Sequence, residues 1–361
     1  MHWLFLIIAI PYLYHIIKLW KALEGNLPFR SGRVPRLFLS VIVACRNEQD
    51  NLPLLLSDLL AQEYEKDLFE VIIVNDHSAD STADVARSFT GQINIRVLAN
   101  RGKGKKQALR TGVEVSRGAF LVTADADCRF GPHWLRTVAS FAEEEQPAMS
   151  IHPVMIKAGS GFFSKFQELE FLSLQGITAG SAALGNPVLC NGANLGIEKE
   201  AWLGNSAAIH YEIASGDDIF MLHSLKSKKP GSVRWLESSD AAGVTPASAG
   251  LVSFLRQRGR WLSKAGYYSD SYTKVLAIVT FVTILTQILL FAGGFFYSPL
   301  FQVLGVIILL KSIPDFLILR NTTARYGKSD LMRWFLPSQL VYPLYVLCVI
   351  PFSFRKSEWA V

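Results

Sequence analysis

Four apolar stretches, one at the start of the chain and three near its end, constrain this sequence more than any other feature. Each is at least about 18 residues long, enough for a helix to cross the roughly 30 Å apolar core of a bilayer. They are Trp3–Trp20, Val275–Tyr297, Leu300–Leu319 and Trp334–Phe354. The first lacks a basic start and a small-residue cleavage site, which favours an uncleaved anchor over a signal peptide. The sequence therefore predicts a membrane anchor over residues 1–22 and about three membrane helices over residues 273–355.

Basic residues indicate on which side of the membrane the middle of the chain lies. They are Lys18, Lys21, Arg30, Arg33 and Arg36 around the end of the first stretch, and Arg320, Arg325, Lys328 and Arg333 between the last two. Because basic connections stay in the cytoplasm, we expect an integral protein of a bacterial-type inner membrane with a cytoplasmic middle domain. Four spans then leave both ends of the chain outside, although Arg355 and Lys356 argue against that placement.

The charge of the chain narrows the classes of partner. The net charge is +6, and 18% of the residues are charged, against about 25% in soluble domains. A basic balance suits nucleic acid, anionic lipid headgroups or phosphorylated substrates. No run of Lys and Arg forms a nucleic-acid arm, so we expect membrane lipids and phosphorylated substrates as partners, and no nucleic acid. The four cysteines form no CxxC pair, which predicts buried thiols in a reducing compartment.

Between the membrane segments, residues 37–245 alternate short β-branched runs with helical patterns. The predicted strands are Leu37–Ala44, Phe69–Asn75, Ile93–Leu98 and Ala119–Ala124, and the predicted helices are 51–61, Ser81–Phe89 and Lys105–Val115. This alternation predicts an α/β domain with a mostly parallel sheet flanked by helices. Ligands bind beyond the carboxyl ends of the strands in such sheets. Polar clusters stand at three of these ends, at residues 46–48, 75–76 and 125–127.

The cluster after the fourth predicted strand carries two carboxylates, Asp125 and Asp127, on either side of Ala126. In a turn both can point to one place, and hard oxygen ligands suit Mg²⁺ or Mn²⁺, which also bind phosphates. Such a metal would neutralise a diphosphate leaving group. A lone pair of this kind also occurs in ordinary solvated loops, so its significance depends on the polar residues around it.

Two neighbouring features supply such polar residues. Asp76 ends the second predicted strand and can accept hydrogen bonds from a base or a ribose. Residues 101–106 (RGKGKK) form a glycine-spaced basic loop before a helix, which can approach a nucleotide closely. The loop lacks the GxxxxGK[ST] pattern of a Walker A motif, and a plain surface run of charge is the alternative interpretation.

Two later motifs suggest acceptor chemistry. Asp217 and Asp218 precede an apolar helix, so that one acid can cap the helix and the other can act as a general base. In Gln257–Trp261 (QRGRW), Arg260 can hold phosphate as a forked donor and Trp261 can stack on a sugar ring. By itself this stretch also fits a basic amphipathic helix on a membrane surface, and we assign residues 246–272 to an interfacial segment.

Taken together and in this order, the motifs resemble family 2 glycosyltransferases of the GT-A fold over about residues 38–262. The matching residues are Val43–Glu48, Asn75–Ser78, Gly104–Lys105, Asp125–Asp127, Asp217–Asp218 and Gln257–Trp261. The resemblance implies an α/β fold of the nucleotide-diphospho-sugar transferase type, with the catalytic domain at 37–245 and transmembrane helices at both ends. It also implies a hexosyltransferase-type enzyme that inverts the configuration of the transferred sugar.

On the donor side, the resemblance implies that Asp127 ligates the Mg²⁺ or Mn²⁺ ion, and that Asp125 binds the donor or binds the metal through water. It implies that Asp76 contacts the base, that Lys105 lies near the nucleotide, and that Glu48 belongs to the same donor site. One departure is that Asn75 stands where relatives usually have a second acid beside Asp76.

On the acceptor side, Asp218 resembles the catalytic base, with Asp217 as the neighbouring acid. Relatives usually have Glu at the position of Asp217, so Asp218 is assigned as the base by its match to the second position of the pair. The resemblance implies that Arg260 binds the donor and that Gln257 and Trp261 contact the acceptor. Residues 191–194 (NGAN) resemble a glycine-containing loop near the acceptor, although an ordinary turn fits them equally well.

Several functions remain open within this resemblance. A UDP-sugar is the favoured donor, and the acceptor is lipid-linked or a saccharide. A processive polysaccharide synthase is possible because QxxRW is typical of such enzymes, but about three C-terminal spans are few for a channel. Nucleotidyl transfer and a catalytically inactive membrane adaptor are the alternatives outside the class. The aromatic and acidic residues of 160–185 fit either a helix lying on the membrane or a core helix.

Overall fold

The computed structural model describes residues 2–213 and 215–354 and contains two compact units. One, here called the sheet unit, comprises residues 27–157 and 189–246. The other, called the helical unit, comprises residues 2–26, 158–188 and 247–354. The predicted domains begin at residue 1 and end at residue 355, and these two positions lie outside the described residues.

The strands of the sheet unit belong to two sheets. In chain order they are β1 Leu39–Cys45, β2 Phe69–Asn75, β3 Ile95–Ala99, β4 Phe120–Asp125, β5 Arg129–Phe130, β6 Met149–Ile151, β7 Val154–Lys157, β8 Asn194–Glu198, β9 Val233–Trp235 and β10 Gly243–Pro246. Among the described residues, seven strands form one sheet in the order β3-β2-β1-β4-β8-β6-β9, and β5, β10 and β7 form a smaller sheet. Strands β1 to β4 pair in parallel, whereas β8 runs antiparallel to both its neighbours. The mostly parallel α/β sheet expected from the sequence is therefore confirmed.

Helices connect the parallel strands and cover the sheet. Those of the sheet unit are α2 Leu52–Leu60, α3 Thr82–Ser88, α4 Lys105–Val115, α5 Trp134–Glu145, α7 Lys199–Asn205 and α8 Asp217–Lys228. The strands β1 and β4 are buried along nearly their whole length because both faces of the sheet are covered, as in other parallel sheets. Beneath α2 and α5 lies a core built from the apolar residues of β1, β2 and β4. This arrangement directs the carboxyl ends of β1, β2 and β4 to one edge of the sheet.

The helical unit contains the long apolar helices. Its helices are α1 Ala9–Gly25, α6 Phe162–Ala183, α9 Leu251–Leu262, α10 Ser271–Gly294, α11 Pro299–Arg325 and α12 Phe335–Ser353. Short 3-10 helices occur at His2–Ile8, Ala265–Tyr267 and Ser329–Trp334 in this unit, and at Lys66–Leu68 and Ser206–Ile209 in the sheet unit. Within the described residues, four helical segments are long and apolar enough to cross a membrane: Trp3–Gly25, Ser271–Gly294, Pro299–Arg325 and Ser329–Ser353. They match the four stretches expected from the sequence, at both ends of the chain.

Polar and small residues join the long helices to one another. Tyr12 of α1 donates a hydrogen bond to Asp315 of α11 at 2.5 Å, and Lys311 pairs with the same carboxylate. Gly180 of α6 lies so close to the backbone of Leu19 that an added Cβ atom would stand 2.5 Å from its carbonyl oxygen. The predicted segment 160–185 is thus a helix packed among α1 and α11 of the helical unit. Buried polar contacts of this kind fix which faces of membrane helices meet.

Candidate active site

The loop after β1 is tied to the loop after β2. Asn47 has a positive φ of 57°, and its backbone N–H donates to Ser78 while its side chain accepts from the N–H of Ala79. The N–H of Glu48 donates to the Thr82 hydroxyl at 2.7 Å. Burial raises the pKa of Glu48, the hydrogen bond from Asn51 opposes this, and the charges of Asp127 and Asp125 raise it further. Glu48 therefore lies within the electrostatic reach of both acids at the end of β4.

Asp76, at the end of β2, is fully buried and organises the basic loop that follows β3. Both of its carboxylate oxygens accept from the N–H of Gly104, at 3.0 and 2.9 Å, and one also accepts from the Asn100 side chain at 2.6 Å. Gly104 has a φ of 91° and directly precedes α4. A residue with a side chain is strained there, so the glycine allows the loop to turn sharply into the helix. The structure thus gives Asp76 the role of holding this loop, and its predicted contact with a base stays a prediction.

The first residue of α4 reaches the predicted acids at the end of β4. The Lys105 ammonium lies 2.5 Å from a carboxylate oxygen of Asp125. Burial alone would lower the pKa of Lys105, but the charges of Asp125, Asp217 and Asp218 raise it above its usual range. Lys105 is therefore held as a cation between the acids of β4 and those of α8.

Asp127 is the second acid after β4. Burial raises its pKa, and the negative charge of Asp125 adds to the increase, whereas Lys105 opposes it. Its nearest side-chain donors are weak, with the Thr245 hydroxyl at 3.4 Å and the Cys128 thiol at 3.8 Å. A cation would offset the nearby negative charge of Asp125, and the carboxylate oxygens of Asp127 can coordinate one.

The carboxylates fit a divalent cation of the Mg²⁺ or Mn²⁺ type. Asp125 and Asp127 supply hard oxygen ligands, and a bound cation would offset the burial and the negative charge of Asp125 that raise the pKa of Asp127. Among residues 2–213 and 215–354, no group of three or more His, Cys, Asp or Glu side chains is arranged to hold a metal ion. That is compatible with Mg²⁺, which is commonly held by one or two carboxylates together with substrate phosphates and water.

The two acids at the start of α8 stand against the loop 191–194. One oxygen of Asp218 accepts from the N–H of Gly192 at 3.0 Å, and the other accepts from the N–H of Ile219 at 2.7 Å. An added Cβ atom at Gly192 would lie 3.5 Å from a carboxylate oxygen of Asp217. The Thr123 hydroxyl of β4 donates to the Gly192 carbonyl at 2.8 Å. The loop 191–194 therefore links Asp218 to β4, the strand whose end carries the candidate metal ligands Asp125 and Asp127.

The Gln257–Trp261 motif lies on α9 in the helical unit and centres on Arg258, to which the sequence assigned no role. Arg258 is buried, and its guanidinium binds both carboxylate oxygens of Glu170 at 2.7 to 3.1 Å. Gln257 accepts a hydrogen bond from Arg258 at 2.6 Å, and the Trp261 ring lies 4.1 Å from the guanidinium carbon. Tyr345 of α12 donates to Glu170 at 3.1 Å. The motif's first and last residues are thus oriented by a buried ion pair.

The site residues predicted from sequence divide between the two units. The acids and lysine that share one electrostatic environment belong to the sheet unit: Glu48, Lys105, Asp125, Asp127, Asp217 and Asp218. Gln257, Arg260 and Trp261 belong to the helical unit. Sequence reasoning missed Glu170, Arg258 and Thr123. Glu170 and Arg258 each lie among aromatic residues in the sequence, and that position was a signal for a buried charge pair. Nothing in the sequence distinguishes Thr123.

Comparison with known proteins identifies the class. Across 97% of both chains, the fold matches that of a mannosyltransferase from Pyrobaculum calidifontis in complex with GDP-Man and Mn²⁺, with a TM-score of 0.58 and 14% identity. The fold is therefore that of the GT-A glycosyltransferases. The model "Glycosyl transferase family 2" matches residues 40–199, and "Glycosyl transferase family group 2" matches residues 120–351. The chain therefore belongs to glycosyltransferase family 2.

Curated relatives are similar over part of their length. A beta-monoglucosyldiacylglycerol synthase from Trichormus variabilis is 26% identical over 265 residues, which cover 71% of this chain and 53% of that protein. A dolichyl-phosphate beta-glucosyltransferase from Dictyostelium discoideum is 41% identical over 106 residues, covering 26% of this chain and 32% of that protein. The matched regions thus span between a third and about half of these relatives.

Proposed function

We propose that this glycosyltransferase moves one sugar from a nucleotide-diphosphate donor, preferably a UDP-sugar, to a lipid acceptor at the membrane, with inversion at the anomeric carbon. The observation that carries the proposal is the convergence of Asp125, Asp127, Lys105 and Asp218 at one edge of the parallel sheet. Acids of the metal-binding type, a cation for phosphate and an oriented carboxylate are the groups that such a transfer needs.

Asp218 is the proposed general base. Its carboxylate accepts hydrogen bonds from the N–H groups of Gly192 and Ile219, which hold it in one orientation. In the proposed step, Asp218 takes the proton of the acceptor hydroxyl while the acceptor oxygen bonds to the anomeric carbon. The bond from that carbon to the diphosphate oxygen breaks on the opposite face, so the configuration inverts. We assign Asp217 to shaping the same pocket edge.

The donor side would be held by residues at the ends of β1, β2 and β4 and by the first residue of α4. Lys105 neutralises diphosphate charge, and Glu48 lies in the same electrostatic environment. Asp127 and Asp125 would hold Mg²⁺ or Mn²⁺, which supplies further neutralisation of the leaving group when bound. Asp76 contributes by keeping the loop at Gly104 closed, so that its backbone can approach the nucleotide.

Two observations favour a lipid acceptor. The two relatives are a dolichyl-phosphate beta-glucosyltransferase and a beta-monoglucosyldiacylglycerol synthase, and both names combine a glucosyl group with a lipid. The Gln257–Trp261 motif belongs to a unit of long apolar helices. We infer that Gln257 and Trp261 contact the acceptor and that Arg260 contacts the donor phosphates. We also infer that the sheet unit faces the cytoplasm, where nucleotide sugars are made.

A processive synthase is the second candidate, favoured by the presence of Gln257, Arg260 and Trp261 at QxxRW spacing. The two functions differ in product size. A synthase extends one glycan through many transfers, whereas the proposed enzyme adds a single sugar to each lipid.

The test supplies membranes containing the protein with radiolabelled UDP- and GDP-sugars and follows label into organic solvent. We expect one donor to label a lipid bearing a single sugar, which glycosidases of one anomeric specificity release, with the configuration opposite to the donor's. A water-soluble polymer would favour the synthase. Retained configuration would overturn the inverting mechanism, and absence of any transfer would favour the adaptor.

A further inference from the structure

Helix α12 packs side by side with α9, the helix that carries the Gln257–Trp261 motif. Tyr345 stacks on Phe254 with ring centroids 5.3 Å apart. Further along both helices, Gly259 approaches Phe352 so closely that an added Cβ atom would lie 2.7 Å from the Phe352 backbone. Contacts advance in the same direction on both helices, so α12 follows α9 over about two turns.

The chemistry of α9 sets the depth at which both helices can lie. Arg256, Arg258 and Arg260 occur within its 12 residues. Arg258 is paired with Glu170 of α6, a helix that also carries a buried Glu168. A helix with this density of charge belongs at the membrane surface, because charged side chains at the centre of a bilayer are strongly disfavoured.

A membrane-crossing α12 would conflict with that depth. The helix begins at Phe335, directly after a connection that carries Lys328 and Arg333. At 1.5 Å per residue, a crossing helix would place Tyr345 about 15 Å and Phe352 about 26 Å from that start, near the far side of a core of roughly 30 Å. Helix α9, which touches both residues, would then be drawn into the hydrocarbon together with its arginines.

We propose that α12 lies along the membrane surface beside α9 and does not cross, so that three helical segments span the membrane. Its leucines Leu336, Leu340, Leu344 and Leu347 are 36% to 69% exposed. Spaced at i, i+4, i+8 and i+11, they form one stripe along the helix. This stripe contacts lipid acyl chains, while Tyr345 and Phe352 face α9.

The proposal also accounts for a conflict in the sequence. Four spans leave Arg355 and Lys356 on the outer side, against the preference of basic residues for the cytoplasm. With α12 on the surface, its end at Ser353 lies on the side that holds the connection between α11 and α12. This topology does not depend on the proposed transfer reaction.

Cysteine labelling of the full chain tests it. In a background with Cys190 and Cys348 replaced by alanine, single variants Phe354→Cys, Ser329→Cys and Ser298→Cys are treated with a membrane-impermeant maleimide. All three positions are exposed, and Ser298 lies in the turn between α10 and α11. We expect Phe354→Cys to react in inverted vesicles with Ser329→Cys, and Ser298→Cys to react only in spheroplasts.

Reaction of Phe354→Cys in spheroplasts, together with Ser298→Cys, would overturn the proposal because α12 would then cross. If lipid shields position 354 from both sides, reporters fused after Val361 decide. A fluorescent protein that matures only in the cytoplasm should be active, and alkaline phosphatase, active only outside, should be silent. The reverse pattern would overturn the proposal equally.

Discussion

The two units hold their charged groups in different ways. In the sheet unit, Asp76 and Asp218 accept hydrogen bonds from backbone N–H groups of nearby loops. In the helical unit, Arg258 is held by the carboxylate of Glu170 and by the rings of Phe254 and Trp261. The first arrangement fixes the orientation of carboxylates at the ligand edge of the sheet. The second neutralises a charge so that a helix can pack, which indicates positioning rather than chemistry.

The largest effect should come from Asp218→Asn, which keeps the shape of the side chain and removes the base. Turnover should fall by about 10²–10⁴, while the Kd for the donor stays unchanged because the diphosphate is held by other residues. Donor binding measured by calorimetry and turnover measured by sugar transfer separate the two effects. Asp84→Asn, on the surface of α3, is the matched control and should behave as wild type. Turnover within tenfold of wild type would move the role to Asp217.

The next effect should come from Glu170→Gln, which leaves the buried Arg258 without a counter-charge. Removing one partner of a buried ion pair typically costs about 3–5 kcal/mol, so the solubilised protein should unfold at a clearly lower temperature. Because the pair acts by neutralising charge, the double variant Glu170→Leu with Arg258→Met should recover much of that loss. A double variant less stable than Glu170→Gln would show that the pair does more than compensate charge.

A smaller effect should follow from Thr123→Val, which keeps the volume of the side chain and removes the hydroxyl bound to Gly192. Loss of a hydrogen bond of this kind costs about 1 kcal/mol. If that free energy is lost from the positioning of Asp218 for catalysis, kcat falls about fivefold. The KM for the donor should not change, and Thr123→Ser should retain the wild-type rate. Equal rates in the valine and serine variants would show that the Thr123 hydroxyl does not contribute to turnover.

The smallest effect should come from Arg87→Ala on α3. Its pairing with Asp84 is at 2.7 Å, but the two side chains are 63% and 81% exposed. Exposed pairs three residues apart contribute no more than about 0.5 kcal/mol, so the unfolding temperature should shift by no more than about 2 °C. A larger shift would mean that the contrast between buried and exposed pairs is overstated here.

Local patterns in the sequence predicted the sheet unit well. The predicted bounds Phe69–Asn75 and Lys105–Val115 coincide with β2 and α4, because β-branched runs and a glycine before a helix act over a few residues. The acids Asp125 and Asp127 stand at the end of β4 and just after it, since a parallel strand ends in a loop at the ligand edge.

The helical unit could not be predicted to the same degree. Which charge pairs with Arg258 depends on how α6 and α9 meet, and Glu170 lies 88 residues away along the chain. Hydropathy identifies α12 as long and apolar, but it does not show that α12 packs against α9. The burial of Asp76 could not be predicted either, because the sequence does not show that the loop at Gly104 folds back over it.

The most direct test of the account is metal-dependent turnover of a nucleotide sugar by the solubilised protein. Wild type and Asp127→Ala are compared on a panel of UDP- and GDP-sugars with Mn²⁺, Mg²⁺ or EDTA, with release of nucleoside diphosphate as the readout. The account predicts turnover of one donor, only when metal is present, and its loss in Asp127→Ala. Turnover that is unaffected by EDTA and by Asp127→Ala would contradict it.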